Sequence, residues 1–159
     1  MKKVIYPGTF DPITLGHFDI IKRSSETFDT VVIGVTDDNN KNNLFSIDER
    51  IDMIEKTTLN ISNIEIKKFN GLLVDFAKKE KAIAIIRGLR VLSDFEYEFK
   101  MALMNRDLND NINTYFLMPH EKYTHISSSL VKEVASYGGN IKKYVSDFVY
   151  ERILEKNNQ

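Results

Sequence analysis

The stretch Val4-Ile5-Tyr6-Pro7-Gly8-Thr9-Phe10-Asp11-Pro12-Ile13-Thr14-Leu15-Gly16-His17 decides the fold. It opens as a short apolar run of β character, passes through a loop dense in turn formers, and ends at a helix start. The same alternation recurs along the chain. Thr30 to Thr36, Ile64 to Phe69, Ala82 to Ile86 and Asn113 to Met118 are the further strand candidates. The second and fourth strands lack polar alternation, as expected of strands covered on both faces. Between the strands the apolar spacing predicts helices. One runs from about Gly16 to Phe28, with Phe18, Ile21 and Ser25 on one face. A capping-box pattern, Ser46-Ile-Asp-Glu49, opens a second with Ile47, Ile51 and Ile54 inward. Leu72 to Lys79 is shorter. A second capping-box pattern, Ser93-Asp-Phe-Glu96, opens a helix carrying Phe95, Phe99, Ala102 and Leu103. Ser128 to Ser136 and a C-terminal helix over about 146–156 complete the set, the last with Val145, Phe148, Val149 and Ile153 inward. The expected fold class is α/β: a single Rossmann-like, doubly wound domain over 1–159, with a mostly parallel five-stranded sheet and helices on both faces. In such sheets ligands sit beyond the carboxyl ends of the strands, where strand order reverses, so the loops after each strand hold the candidate residues.

Composition narrows the chemistry. The chain has 159 residues and no cysteine, which excludes disulfides, thiolate catalysis and Cys-based zinc sites. A net charge of −1 offers no broad field for nucleic acid or an anionic membrane, so neither is an expected partner, and anionic ligands would need a few local cations. The apolar run at the amino terminus is too short for a signal-peptide core, and no stretch approaches the roughly 20 residues of a membrane span. A cytoplasmic location is the default expectation. The Gly-x-x-x-x-Gly-Lys-Ser/Thr phosphate loop, the Gly-x-Gly-x-x-Gly fingerprint, the Gly-x-Ser-x-Gly elbow and His-Glu-x-x-His are all missing from the sequence, which removes the usual support for four enzyme classes.

Three clusters remain. In the first loop, Thr14 and His17 are three apart and share one side of the opening helical turn, where free N–H groups favour an anion. The positive helix end disfavours imidazolium, making His17 a candidate neutral donor. Simple capping by Thr14 is the plainer alternative, and it leaves Gly8-Thr9 and Gly16-His17 without a reason. After strand four comes Arg87-Gly88-Leu89-Arg90. Arginines can grip phosphate oxygens through paired donors, and glycine admits close backbone approach. Two solvated arginines in a turn are the alternative. After strand five, Ser127-Ser128-Ser129 enters a helix, where hydroxyls and fresh N–H groups suit terminal phosphates or merely cap the helix.

Thr14-Leu-Gly-His17 following Gly-Thr-Phe-Asp-Pro resembles the nucleotidyltransferase superfamily with the Thr/His-x-x-His motif. Tyr6-Pro-Gly-Thr-Phe-Asp-Pro12 is similar, within it, to the phosphopantetheine adenylyltransferase family. The likeness continues through Arg87-Gly-Leu-Arg90, Ser93-Asp-Phe-Glu-Tyr-Glu98 and Ile126-Ser-Ser-Ser129 with Leu-Val-Lys-Glu-Val, nearly the whole chain. It implies transfer of the adenylyl group of ATP to 4′-phosphopantetheine, giving 3′-dephospho-coenzyme A and pyrophosphate, a step of coenzyme A biosynthesis. It also implies Mg²⁺ held by phosphates and water with no protein metal site, a homohexamer, and coenzyme A as a candidate feedback inhibitor. Carried over residue by residue, the acceptor side is Thr9, Lys41, Leu73 and Arg87. The ATP side is Thr9, Phe10, His17, Gly88, Leu89, Arg90 and Glu98, with Tyr123, Thr124, His125, Ile126, Ser127, Ser128 and Ser129. His17 would stabilise the transition state, aided by Thr9, Lys41 and Arg90. Without the resemblance Lys41 is a solvated loop lysine, Leu73 a packing residue and Glu98 a polar helix residue. His125 has no individual role, and like His120 it reads as a loop or surface residue. Asn42, Asn43 and Leu15 depart from the family's usual residues. Three other readings stand beside this one, of which a structural or protein-interaction domain leaves the glycine, arginine and serine clusters at the strand ends without a cause. A sister transferase is disfavoured by Thr14 in place of a first His and by a serine motif without a following Arg. A non-catalytic nucleotide-binding module would be expected to lose a phosphate-side residue, yet all are present.

Overall fold

The computed structural model describes residues 1–37 and 42–158. Among them five strands, β1 (Lys3–Gly8), β2 (Thr30–Thr36), β3 (Ile64–Phe69), β4 (Ala84–Gly88) and β5 (Asn113–Leu117), form one sheet in the order β3-β2-β1-β4-β5. Every pairing is parallel. The helices are α1 (Leu15–Thr27), α2 (Ile47–Thr57), α3 (Leu73–Lys79), α4 (Leu92–Leu108), α5 (Ser128–Ser136) and α6 (Asp147–Asn157), with a 3₁₀ turn at Glu121–Tyr123. Side-chain alternation along the strands divides the core. Val4, Tyr6, Val31, Ile33, Val35 and Ile86 face the layer of α1, α2, α5 and α6. Ile5, Val32 and Ile85 face α3, through Phe76 and Ala77. The strand aliphatics are fully buried, each contributing about 1.5–3 kcal/mol by leaving water.

The sheet opens at its switch point. β1 pairs with β2 along its whole length, to Gly8↔Val35, and β4 pairs with β5 to Gly88↔Leu117. Between β1 and β4 only Val4↔Ala84 and Ile5↔Ile85 pair. Beyond Ile5 the two halves part, and Pro7, which has no N–H to donate, sits where the ladder has already divided. The crevice follows from the register.

Gly34 on β2 makes room for the far wall of this crevice. Phe69 and Phe76 stack with centroids 4.4 Å apart, and a Cβ on Gly34 would lie 2.8 Å from the Phe76 ring. Overpacking of this kind costs about 1–3 kcal/mol. Gly34→Ala should therefore lower stability by that amount in urea unfolding; an unchanged midpoint would mean the ring pair moves freely.

Three expectations need correction. Strand four starts at Ala84 and includes Arg87 and Gly88, because Ala82 N–H donates to Ala77 O to close α3. The buried stripe of α1 is Ile20, Ile21 and Ser24, continuous at helical spacing with His17, while Phe18 and Ser25 are only half-buried. The second capping box does not form. Val91 caps α4 with no side-chain bond, and Ser93 lies inside the helix. Asp94 pairs instead with Arg90 (Nε–Oδ2 3.2 Å), drawing the helix start upstream. On α4 Glu98 and Asn105 are the buried residues, while Phe95, Phe99 and Leu103 are exposed. The first capping box does form, Ser46 Oγ accepting from Glu49 N–H and Glu49 accepting from Ser46 N–H.

Candidate functional site

A cleft of about 860 Å³ occupies the switch point. Its floor is the loop after β1, its sides are the ends of β2 and β4, and it reaches α3, α4 and the start of α5.

The loop after β1 is shaped by Phe10, which adopts φ 50° and is 2% exposed. A bulky residue in this region costs about 1–3 kcal/mol, held by the surrounding contacts. Here the ring folds back over Gly8, where a Cβ would lie 2.9 Å from it, and packs edge-on against His17 at 5.1 Å between centroids. Asp11, 3% exposed, accepts from Leu44 N–H and Phe45 N–H, both at 2.9 Å, and pairs with Lys132 of α5 at 2.6 Å. The loop thus ties the segment before α2 to α5.

His17 is the third residue of α1 and completes a capping box with Thr14. Its N–H donates to Thr14 Oγ1 at 3.3 Å, and its Nδ1 accepts from Thr14 N–H at 3.0 Å. An Nδ1 that accepts from a backbone N–H carries no proton, so the neutral ring bears its hydrogen on Nε2. Burial, and secondarily the charge of Arg90, push the imidazole down from 6.5 to about 4. Among the described residues Nε2 has no hydrogen-bond partner, and the ring lines the cleft. The result is a neutral donor aimed into the crevice. Burial likewise raises the Tyr6 phenol, keeping its hydroxyl protonated at the cleft floor.

Arg87 and Arg90 leave β4 on either side of Gly88. Arg87 is held bidentately by Glu98 of α4, Nε to Oε2 at 2.7 Å and Nη2 to Oε1 at 2.6 Å. Both Glu98 oxygens are occupied, and the residue does not line the cleft, although Arg87 does. Arg90 donates to Ile126 O at 2.9 Å, joining the end of β4 to the approach of α5. Ser127 caps α5 by accepting from Leu130 N–H, and Ser128 Oγ donates to Pro12 O at 2.7 Å. Both line the cleft with Thr9, Phe10, Leu73, Gly88 and Ile126. Leu89, Tyr123, Thr124, His125 and Ser129 lie outside its lining. Leu89 N–H extends the ladder to Leu117 O, and His125 packs edge-on against Tyr144 at 5.7 Å. Lys41 falls outside the described residues. Among the described residues no group of three or more His, Asp or Glu side chains is placed to hold a metal ion, and no helix is long and apolar enough to cross a membrane.

Sequence reasoning missed several contributors. Arg50 on α2 is 2% exposed and donates from Nη1 to Thr9 O (2.7 Å) and Thr36 O (3.0 Å). A signal was present: Ile47, Arg50 and Ile54 share one helical stripe, so a cation sits where the spacing demands an inward side chain. Met101, Met104 and Asn105 of α4 also line the cleft, a face that the apolar positions Phe95, Phe99 and Leu103 did not announce.

The cytidylyltransferase-like family model matches residues 5–134. The phosphopantetheine adenylyltransferase of Caldanaerobacter subterraneus subsp. tengcongensis is 53% identical over 156 residues, spanning 98% of either chain. That of Clostridium botulinum strain Langeland is 53% identical over 158 residues, 99% of this chain and 96% of its own. Two solved structures share the fold at low identity. Plasmodium falciparum nicotinic acid mononucleotide adenylyltransferase complexed with NaAD superposes with a TM-score of 0.74 at 19% identity, covering 99% of this chain and 97% of that one. A bifunctional NMN adenylyltransferase/ADP ribose pyrophosphatase from Francisella tularensis gives 0.74 at 15%, covering 99% and 49%. With near-full-length identity above half to such relatives, and a family model matching most of its length, the chain belongs to the phosphopantetheine adenylyltransferase family of cytidylyltransferase-like nucleotidyltransferases.

Proposed function

We propose that the protein transfers the adenylyl group of ATP to 4′-phosphopantetheine, forming 3′-dephospho-coenzyme A and pyrophosphate. The observation that carries this reading is the neutral His17 donor at the cleft floor, with Arg87 and Arg90 on one side and the start of α5 on another. The acceptor phosphate attacks the α-phosphorus in line, its oxygen forming the new P–O bond while the bond to the β-phosphate bridge breaks. A phosphomonoester carries about −1.5 to −2 charge near neutrality, so neither a protein nucleophile nor a strong base is needed. The obstacle is repulsion between anions, and catalysis is positioning and charge stabilisation.

In this scheme Arg87 and Lys41 hold the acceptor phosphate, Leu73 lies against the pantetheine arm, and Thr9 stands at the junction. His17 Nε2–H donates to the α-phosphate as charge builds. Arg90 with Ser127 and Ser128 at the cleft lining, and Ser129 one residue beyond it, holds the leaving pyrophosphate, and Gly88, Leu89 and the Tyr123–Ile126 segment, of which Gly88 and Ile126 line the cleft, border the nucleotide. Glu98 acts through Arg87. Magnesium would be held by the phosphates of ATP and by water, since no carboxylate or histidine cluster among the described residues is placed to hold it, and it would supply charge neutralisation there. Assembly as a homohexamer, feedback by coenzyme A and a cytoplasmic site of action belong to the same proposal. The exposed Phe95, Phe99 and Leu103 of α4 support a surface covered in an assembly.

The test is pyrophosphate release from Mg²⁺ and ATP with and without 4′-phosphopantetheine. Release that requires the acceptor, with dephospho-coenzyme A seen by mass spectrometry, is expected. Release with another acceptor only would replace this reading by a sister transferase.

A further inference from the structure

Arg50 presents a physical puzzle. A buried guanidinium is costly, several kcal/mol before compensation, and at 2% exposure Arg50 is among the largest fully buried side chains of the protein. No carboxylate pairs with it within salt-bridge distance among the described residues, and its Nε has no hydrogen-bond partner. What it holds is two backbone oxygens. Thr9 follows the last residue of β1, and Thr36 is the last residue of β2. The β1–β2 ladder ends at Gly8↔Val35, and the next carbonyls, Thr9 O and Thr36 O, converge on one nitrogen, Nη1. Arg50 therefore adds a rung to the ladder at the point where the crevice opens.

The carrier of that rung is rigid. α2 is closed at its start by the Ser46–Glu49 box, and Glu49 is gripped by Lys156 of α6 at 2.9 Å. Above the rung, Thr9 Oγ1 and Thr36 Oγ1 lie 3.5 Å apart, and Thr36 Oγ1 reaches Gly8 O at the same distance. Thr9 and Thr36 both line the cleft, but Arg50 does not.

We propose that Arg50 is a positioning residue for adenylyl transfer, fixing the Thr9 and Thr36 carbonyls so that Thr9 stands at the junction of the acceptor phosphate and the α-phosphate. The inference rests on the function proposed above. It predicts a division between chemistry and binding: the position of Thr9 matters most in the transition state, where both phosphates meet, and less for ATP held by Arg90 and α5.

The experiment compares wild type with Arg50→Met and Arg50→Lys, following thermal unfolding, ATP binding by calorimetry, and kcat and KM for 4′-phosphopantetheine. Assays run below the unfolding range of the weakest variant. Arg50→Met removes the donor to both carbonyls and should lower kcat by about 100-fold, the scale of an ångström's misplacement at a reacting centre, with ATP affinity nearly unchanged. Arg50→Lys returns one nitrogen able to serve both oxygens and should recover most of the lost kcat. A folded Arg50→Met that turns over like wild type overturns the inference and leaves Arg50 a stability residue. If Arg50→Met does not fold, Arg50→Gln, whose amide nitrogen ends two atoms short of Nη1, is judged by the same criterion. Wild type inactive toward 4′-phosphopantetheine would instead overturn the proposed function, a result separate from either variant's.

Discussion

His17→Ala should lower kcat by about 10²–10³-fold, equivalent to about 2.7–4 kcal/mol, the range for deleting one donor that meets charge developing in a transition state. ATP binding should suffer much less, since in the proposed scheme Arg90 and the start of α5 hold the other phosphates. The imidazole also has a structural duty, because Nδ1 accepts the Thr14 N–H. Its loss costs about 0.5–1.5 kcal/mol of stability. His17→Glu separates the duties. Glutamate at this helical position can close the capping box on Thr14 but carries no N–H to donate into the cleft. Its stability should return toward wild type while kcat stays low. The pH dependence carries a sign. With the folded value pushed down from 6.5 to about 4, the unfolded chain binds more protons between those limits. This contribution to stability is present above about 6.5 and is lost as pH falls toward 4. Above about 5, kcat should show no titration from His17, because the neutral ring is already the donor. Steady-state kinetics and pH profiles of the three proteins provide the check. Near-normal turnover by either variant would remove His17 from the chemistry.

Legibility in the sequence followed the range of the interactions. β2 and β3 were readable to the residue, since strand ends there coincide with the ends of apolar or alternating runs. The Ser46–Glu49 box was readable because both partners lie three residues apart, and Thr14 was readable as a cap, but the return bond from Thr14 N–H to His17 Nδ1 was not. Ser93–Glu96 has the same local pattern and failed, because Arg90–Asp94 pairing and the exit from β4 start the helix earlier. The α4 face misled for a different reason. Apolar residues need not be buried, and the informative buried ones were polar. Glu98 is buried because Arg87 meets it, which no helical period announces. The scaffold under the site is longer in range still. Arg50 reaches Thr9 across 41 residues and Asp11 reaches Lys132 across 121. Such bonds exist only once the sheet order is known.

The Arg87–Glu98 pair yields the second large effect, on stability and activity together. Arg87→Met should destabilise the fold by about 2–3 kcal/mol. That is below the roughly 3–5 kcal/mol of a fully buried pair, because the Arg87 side chain is 29% exposed and that of Glu98 11%. The cost comes less from lost attraction than from a largely buried carboxylate left without its donor. Arg87→Met with Glu98→Gln removes that carboxylate charge, and the double variant should therefore regain most of the lost stability, a non-additivity expected of residues in direct contact. Activity should follow the opposite logic. Arg87 is the cation at the end of β4 proposed to hold the acceptor phosphate, with Nη1 also donating to Pro7 O at 3.4 Å, so neither variant should recover kcat/KM for 4′-phosphopantetheine. Glu98→Gln alone keeps the guanidinium but gives it only one accepting oxygen in place of two. It should raise KM for the acceptor more than it lowers kcat. Urea unfolding and steady-state kinetics on the three variants give the comparison. A double variant as active as wild type would show that Arg87 serves only the pair, and would pass the acceptor phosphate to other cations of the cleft.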